Sequence, residues 1–214
     1  MNWTDFLLIL HGLHWTVLLT AGALAIGAIL GFPIMLMRVS RNRVLRIVAL
    51  AFISFVRAIP PIVWIFLIFF GVGAGGTGFN PFAAALVAFG LIAAANMAEI
   101  YRGGLIAVPS GQSEAAEALN LSPQHRFFGV IFPQLMRVAL PTTATYAIGL
   151  LKDSAIASTI GVTELAFQGR YVTQMNYQYL PVLGMVGLIY ILLSLPIAWV
   201  SRVADQKLRS KVAR

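Results

Sequence analysis

Three long stretches of the chain contain no charged side chain, and they constrain the possible fold more than any other feature. These stretches are residues 6–37, 58–98 and 171–201. About a quarter of the residues of an ordinary soluble domain are charged, whereas here the charged fraction is 10% and the hydrophobic fraction is 59%. A transmembrane helix needs roughly 20 consecutive apolar residues. The chain is therefore predicted to be an integral membrane protein.

The composition also excludes several function classes. The chain has no cysteine, which excludes a disulfide scaffold, a cysteine-ligated metal and a cysteine nucleophile. No histidine or carboxylate pattern has metal-ligand spacing, so no metal site is predicted. Lysine and arginine outnumber aspartate and glutamate by 15 to 7. In a chain this apolar, a basic excess marks the cytoplasmic side of a membrane more often than a nucleic-acid partner, and no nucleic-acid partner is predicted.

The apolar stretches and the turn signals between them predict one all-α transmembrane domain over residues 1–214. We predict five spans, at about residues 12–38, 45–70, 81–104, 137–162 and 180–203. Basic residues concentrate in the first connection and in the C-terminal tail. The Gly71–Pro81 connection has no charge, and Glu164 balances Arg170 in the last connection. By the positive-inside rule, the N-terminus is then outside and the C-terminus is cytoplasmic.

The segment between the third and fourth spans, at about residues 110–136, is longer than the 2–8 residues of a usual helix–helix connection. Gln112 to Leu119 is rich in helix-forming residues, and Asn120 follows as a left-handed helix end. Ser122 then caps a second helix that starts with Pro123. The sequence therefore predicts a two-helix elbow at the cytoplasmic surface of the membrane.

On the first helix of this elbow, Ala115, Ala116 and Leu119 are predicted to form one apolar face between Glu114 and Glu117. Such a small and smooth face suits a groove on a partner protein. The alternative is an interfacial helix that lies on lipid. An anionic leaflet attracts basic helices rather than acidic ones, so the two carboxylates favour docking on a partner.

The elbow resembles the EAA loop of ATP-binding-cassette (ABC) importer permeases. The pattern of that loop is E-A-A, three residues, G, nine residues, I, one residue, L-P. Glu114, Ala115, Ala116 and Pro133 match it at the right spacing, while Asn120 stands in place of the glycine. Val130 and Phe132 replace the isoleucine and the leucine. Asparagine can still adopt the left-handed conformation that the glycine supplies.

Three further segments resemble signature segments of the polar-amino-acid branch of this family. They are SFVRAIPPIVWIFLIFFGVG, AEIYRGGLIAVPSGQSEAAEAL and GLLKDSAIASTIGVTEL, and together they cover most of residues 48–165. The resemblance implies a type I ABC importer permease that works as a dimer of permease chains in a bacterial inner membrane. It also implies import of a polar or charged amino acid by alternating access.

The resemblance further implies that the first elbow helix is a coupling helix that sits in a cleft of an ABC ATPase subunit. The residues it assigns to ATPase coupling are Gln112, Glu114, Ala115, Ala116, Glu117, Leu119 and Asn120. The other implied partners are a second ATPase subunit, a second permease chain that is identical or homologous, an extracytoplasmic solute-binding protein and the amino-acid substrate. ATP and magnesium would be bound by the ATPase, and this chain would bind no cofactor.

The chain is predicted not to be an enzyme, and no catalytic residue is assigned. It lacks the pattern G-x-x-x-x-G-K-[ST], and none of its three lysines follows a Gly-rich phosphate-binding loop. A membrane-embedded enzyme would need a nucleophile–base pair or a metal cluster at depth. The chain has no cysteine and no histidine deep inside a predicted span. The energy for transport must therefore come from a partner.

Charged residues inside the predicted spans are the candidate substrate-binding residues. Arg57 lies about 15 Å into the second span at 1.5 Å per residue, directly before Pro60 and Pro61, which interrupt the helix there. A charge at that depth should face a partner or a water-filled cavity. Arg57 could bind a carboxylate bidentately, and a broken helix beside a buried cation is a common way to build a transporter site.

Further candidates are Lys152, Asp153 and Ser154 in the fourth span, where Asp153 could bind an ammonium group and Lys152 a carboxylate. The alternative for these charges is a structural ion pair that fixes helix packing. Glu99, with Asn96 one turn earlier, is another candidate. Because Glu99 and Arg102 are three residues apart on one helix, a local ion pair is the favoured interpretation there.

Two alternatives for the function remain open at this stage. One is an importer of a related zwitterion, such as an opine or a compatible solute, because a cavity with an arginine and an aspartate suits any zwitterion. The other is an ion-driven secondary transporter or channel, which usually has ten or more spans and would leave the elbow without a purpose. Dependence of uptake on an ion gradient, in the absence of nucleotide, would favour the second alternative.

Overall fold

The computed structural model describes residues 2–72, 78 and 80–210, and these residues contain helices and turns but no β-strand. The α-helices are α1 (Trp3–His11), α2 (Leu13–Arg38), α3 (Arg43–Ala58), α4 (Pro61–Phe66), α5 (Pro81–Ile106), α6 (Ser110–Ala118), α7 (Pro123–His125), α8 (Phe132–Asp153), α9 (Leu165–Asn176) and α10 (Tyr179–Ser210). Two segments with π-helical hydrogen bonding, Leu67–Val72 and Arg126–Ile131, and a 3-10 segment, Ser154–Ile160, extend these helices. The predicted all-α fold is confirmed for the described residues.

In the described part of the chain, three helical segments are long and apolar enough to cross a membrane by themselves, namely Trp3–Arg38, Pro81–Ile106 and Tyr179–Val203. Each contains one predicted span. A fourth apolar segment consists of α3 with the helix from Pro61 to Val72, and its two arms are bent by 98°. The predicted fourth span is helical, as α8 and the 3-10 segment, but it is not among the segments that are apolar enough to cross a membrane. It is less apolar because it contains three charged residues, Arg137, Lys152 and Asp153.

The centre of the fold is the contact between α2 and α5. One face of α5 consists of buried alanines, including Ala93 and Ala98, which let the α2 backbone approach closely. A Cβ on Gly27 would overlap Ala93, and a Cβ on Gly31 would lie 2.7 Å from the Cβ of Met97. These two glycines form a small-xxx-small pair, the spacing that permits close helix packing in membranes.

We expect Gly27→Ala to destabilise the protein, because overpacking a tight contact costs roughly 1–3 kcal/mol and the obstacle here is partly backbone. Gly187→Ala is the matched control, since a Cβ on Gly187 in α10 would meet open space. Thermal unfolding of the purified protein in detergent should give a midpoint several degrees lower for Gly27→Ala than for Gly187→Ala. Equal midpoints would contradict close packing of α2 on α5.

The bend between α3 and α4 has a local chemical cause. Pro60 and Pro61 have no N–H group, so the carbonyls of Val56 and Arg57 lose their helical partners. The indole N–H of Trp64 donates to the Val56 carbonyl at 3.0 Å and replaces one of these bonds. The predicted break in the second span is confirmed, and the bend places the Arg57 side chain at the end of α3.

We expect Trp64→Phe to loosen this bend, because it leaves the Val56 carbonyl without its donor and such a loss costs about 1–3 kcal/mol. The phenyl ring would keep the edge contact that Trp64 makes with Phe55. Trp15→Phe is the control, since the Trp15 indole makes ring contacts but donates to no described residue. A lower unfolding midpoint for Trp64→Phe alone is the expected result, and equal midpoints would show that the indole bond does not hold the bend.

The elbow has the predicted caps but a different second arm. Asn120 has φ 53° and ends α6, while the N–H of Leu121 bonds to the Ala116 carbonyl at 3.1 Å, which is the Schellman arrangement. The Ser122 side chain caps the helix that begins at Pro123. That helix runs on through the Arg126–Ile131 segment into α8 without a break. No break in the helix marks the predicted boundary between elbow and span at about residues 136 and 137, and the second arm of the elbow is the base of α8.

Candidate functional site

A cavity of about 260 Å³ brings together two of the predicted site residues. Arg57 at the end of α3 and Asp153 at the end of α8 both line it, together with Asn96 of α5 and Tyr146 of α8. The remaining lining is apolar, with Phe89 and Leu150 among its residues. The walls thus present one cation, one anion, one amide and one phenol against a hydrophobic background, which is the usual composition of a small-molecule site.

A second cavity, of about 390 Å³, adjoins the first. It is lined by Arg57 and Asn96, which both cavities share, and by Glu99 and Thr142. Arg57 and Asn96 therefore lie between the two cavities. The Asn96 amide nitrogen donates to the Ile92 carbonyl at 2.9 Å, which leaves its carbonyl oxygen as an acceptor.

Tyr146 was not predicted as a site residue. Its hydroxyl is buried beside Asn96 without a hydrogen bond of good geometry to any described residue. A buried polar group without a partner is costly, and this hydroxyl is not accessible to a water-sized molecule, so a ligand would contact it only after neighbouring side chains move. Neither its spacing nor its neighbours in the sequence indicate this role. Only the packing of α8 against α5 places Tyr146 next to Asn96.

The other α8 candidates lie differently from Asp153. Lys152 and Asp153 are both exposed, and neither forms an ion pair within the described residues. The predicted alternative of a Lys152–Asp153 pair is thus not present in that part of the chain. Ser154 is buried, and its hydroxyl donates to the Leu151 carbonyl at 2.7 Å. The 3-10 segment that starts at Ser154 turns this hydroxyl into the fold and away from the cavity.

Glu99 takes part in a three-residue charge cluster. Its carboxylate lies 2.7 Å from the Arg102 guanidinium and 3.7 Å from Nε of Arg38. The predicted local pair with Arg102 is confirmed, whereas the contribution of Arg38 at the end of α2 could not be inferred from spacing. Because two arginines neutralise Glu99, it is a poorer receptor for a substrate ammonium group than Asp153 is.

The exposed face of α6 differs from the predicted one. Ala116 is 3% exposed and packs inward, whereas Leu119 is 75% exposed. The prediction that Ala115, Ala116 and Leu119 share one exposed face is therefore wrong for Ala116. The exposed residues on the outward side of α6, which we call the docking face, are Gly111, Glu114, Ala115, Ala118 and Leu119. This face is larger than predicted, because Gly111 and Ala118 extend it, and it stays smooth, because both residues have small side chains or none.

The remaining coupling candidates lie at the edges of α6. Glu117 is ion-paired with Arg126 at 3.0 Å, and the Gln112 side-chain oxygen accepts from Gln134 at 3.0 Å. Both side chains are thus held against the base of α8. Asn120 lies in the left-handed turn after the helix, where its role is to end α6.

A buried carboxylate on the opposite side of the fold was also missed. Glu164 is 0% exposed and caps α9, where it accepts from the N–H groups of Ala166 and Phe167. The Tyr190 hydroxyl of α10 donates to it at 2.6 Å. Burial raises the pKa of Glu164 above its ordinary value, although these three donors oppose that shift. The sequence indicated only a charge that balances Arg170, yet Glu164 ties α9 to α10.

The model of the family described as "Binding-protein-dependent transport system inner membrane component" matches residues 6–210. The chain belongs to this family. The predicted resemblance to ABC importer permeases is therefore confirmed, and the permease is a multi-pass protein of the inner membrane.

Individual relatives show to which branch of the family the permease belongs. It is 35% identical over 186 residues to the probable amino-acid ABC transporter permease protein YckA of Bacillus subtilis (strain 168), covering 87% of this chain and 82% of that protein. It is 32% identical over 204 residues to the L-cystine transport system permease protein TcyB of the same organism, covering 95% and 87%. The permease therefore belongs to the amino-acid ABC transporter permeases.

A solved structure agrees with the fold. A chain in the crystal structure of an amino acid ABC transporter with histidines superposes on the permease with a TM-score of 0.88 and 30% identity. The match covers 97% of this chain and 99% of that one. The fold of the permease thus has a solved counterpart among amino acid ABC transporters.

Proposed function

We propose that the permease carries a polar or charged amino acid through the cavity lined by Arg57 and Asp153. The proposal rests on one observation: these two opposite charges line the same cavity although they are 96 positions apart in the sequence. Neither is ion-paired within the described residues. An arginine can bind a carboxylate and an aspartate an ammonium group. A zwitterionic substrate would supply both partners, with Asn96 and Tyr146 between them.

The arrangement in the membrane that fits this proposal has five spans, with the α3–α4 pair counted as one bent span. Its support is the charge of the connections, which places the N-terminus outside and the C-terminus in the cytoplasm. Arg57, Lys152 and Asp153 are exposed on the single chain. A charge facing lipid at mid-depth costs at least about 2.5–3.5 kcal/mol. A second permease chain, identical or homologous, would cover them and enclose the pathway.

On the cytoplasmic side, the docking face of α6 would sit in a cleft of an ABC ATPase subunit. ATP and Mg²⁺ would be bound by two such subunits, since this chain has no phosphate-binding loop. A solute-binding protein outside would deliver the substrate. Closure of the ATPase dimer would then move the α6 helices and switch the cavity from outward to inward exposure.

The test is a pull-down of tagged permease from its own membranes in mild detergent. ATP hydrolysis of the eluate would be measured with each of the 20 standard amino acids, and with octopine and glycine betaine as non-standard zwitterions. Co-elution of an ATPase and stimulation by one or more amino acids is the expected result. Stimulation by octopine or glycine betaine alone would show that the substrate is a non-standard zwitterion and not a standard amino acid. If no ATPase co-elutes with folded wild-type permease, the proposed ATP-driven importer is refuted.

A further inference from the structure

The coupling helix α6 is fastened to the base of α8 at both of its ends. Near its N-terminal end, Nε2 of Gln134 donates to Oε1 of Gln112 at 3.0 Å. Near its C-terminal end, the Arg126 guanidinium donates to Glu117 at 3.0 Å. The pairs run in opposite order along the two helices, so α6 and the base of α8 form an antiparallel hairpin. Ala116, which is buried, lies between the two pairs.

The turn of this hairpin is also fixed. The Ser122 hydroxyl and Nδ1 of His125 are 2.7 Å apart, and the Schellman bonds end α6 before the turn. The Gln134 side chain makes a second bond, to the Val130 carbonyl at 3.0 Å. This carbonyl belongs to the Arg126–Ile131 segment, where the helix widens just before Pro133, a residue without an N–H group. Gln134 thus joins α6 to the irregular part of the α8 base.

The far end of the same helix reaches the candidate substrate cavity. The helix that begins at Pro123 continues to Asp153, and from Arg126 to Asp153 it spans roughly 40 Å at 1.5 Å per residue. A hairpin that is rigid at its base would pass a displacement of α6 directly to Asp153. A hairpin that can open would let α6 move with its partner while α8 stays in place.

We propose that Glu117–Arg126 and Gln112–Gln134 act as a two-point clasp that makes α6 and α8 move as one lever, with Arg126 and Gln134 as positioning residues for coupling. This rests on the proposed docking of α6 on an ATPase. Most of the docking face is on the other side of α6 from the buried Ala116: Glu114, Ala115 and Ala118 are exposed there. Gln112 and Glu117 flank Ala116 and contact the base of α8. Loss of the clasp should therefore uncouple transport without loss of ATPase binding.

The absence of cysteine from the chain permits a direct test. Thr142→Cys places a single thiol in the cavity of about 390 Å³, and its reaction rate with a membrane-impermeant maleimide reports the exposure of that cavity. The complex with its ATPase would be labelled with and without Mg-ATP and vanadate. In the otherwise wild-type chain, the nucleotide should change the labelling rate several-fold. No change there would refute the proposed alternating access itself, independently of the clasp.

The clasp variants are then made in the Thr142→Cys background. Arg126→Glu and Glu117→Arg should each reduce the nucleotide-dependent change in labelling at least threefold. In Arg126→Glu, whose position lies outside α6, the ATPase should still co-purify and hydrolyse ATP. The double exchange, Glu117→Arg with Arg126→Glu, should restore at least half of the change. An exposed ion pair adds little to folding stability, so a purely structural role would not produce this pattern of loss and rescue.

A mismatched pair is the control for charge alone. Arg137 lies about three turns further along the helix than Arg126 and pairs with no carboxylate in the described residues. Glu117→Arg with Arg137→Glu should therefore not restore coupling. Gln134→Leu, which keeps the size of the side chain but removes both of its hydrogen bonds, should lower coupling as Arg126→Glu does. Three results would each overturn the clasp. They are a normal nucleotide-dependent change in labelling rate in the single variants, failure of the double exchange to restore that change, and loss of ATPase co-purification in Arg126→Glu.

Discussion

Uptake by the permease is expected to fall at least tenfold when aspartate replaces Ala115, while the protein still folds. Ala115 is exposed in the middle of the docking face, so the substitution disturbs nothing inside the chain. In the assembled complex the new carboxylate would be buried against a partner without a cation to pair with it. Burying an unpaired charge costs several kcal/mol, and about 1.4 kcal/mol already corresponds to a tenfold loss of affinity. Glu114→Lys, on the same face, should act in the same direction.

The matched control is Ala115→Ser, which adds a small uncharged group to the same position. We expect it to keep most of the uptake and the full amount of co-purified ATPase. The measurement is uptake of a stimulating amino acid into proteoliposomes, together with the ATPase-to-permease ratio after purification. Near-normal uptake by Ala115→Asp would show that this face does not dock, and an equal loss in Ala115→Ser would point to folding.

Local chemistry explains which features could be predicted from the sequence. The break at Pro60 and Pro61 follows from two missing N–H groups, and the cap at Ser122 follows from one side chain beside a proline. Asn120 was predicted in the left-handed conformation because it stands between two helix signals. The three most apolar spans were predicted because membrane-spanning helices are defined by composition and length. Each of these inferences needs only a few neighbouring residues.

Contacts between distant segments explain what could not be predicted. Ala116 was placed on the docking face because its own helix gives no sign that the base of α8 covers it. Arg38 joins Glu99, and Tyr190 joins Glu164, across gaps that no helical period links. The second arm of the elbow was separated from the fourth span, whereas the structure has one continuous helix there. A widened segment before Pro133 carries this helix through the proline.

The candidate site shows the same division. Arg57 and Asp153 were predicted because a charged side chain inside an apolar span is costly unless it binds a partner or faces water. This argument needs only the local sequence. Their meeting in one cavity depends on the bend after α3 and on the packing of α8 against α5. Ser154 follows Asp153 directly, but the change from α-helix to 3-10 turns its hydroxyl inward. The chemistry of single residues thus identified Arg57 and Asp153 as candidates. Only the packing of the helices shows that they line the cavity and that Ser154 does not.

Asp153→Asn and Arg57→Gln are each expected to raise the apparent KM for the amino-acid substrate by roughly ten- to a hundredfold, because a hydrogen bond to a charged group contributes about 1.5–3 kcal/mol. Asp153→Asn keeps the size of the side chain and removes its charge, whereas Arg57→Gln shortens the side chain and removes both the charge and the guanidinium donors. Assembly with the ATPase should be unchanged, since both residues lie far from the docking face. The measurement is the concentration dependence of amino-acid uptake into proteoliposomes, with the amount of assembled complex determined in the same samples.

Lys152→Gln is the control that separates the cavity from the rest of the α8 end. Lys152 is adjacent to Asp153 and exposed, but it does not line the cavity with Arg57. Its replacement should therefore change KM much less than that of Asp153. A substrate analogue without a carboxylate should lose little further affinity in Arg57→Gln, because the group that Arg57 binds is already missing. If Lys152→Gln instead raises KM as much as Asp153→Asn, or if Asp153→Asn leaves KM unchanged, the substrate does not bind between Arg57 and Asp153.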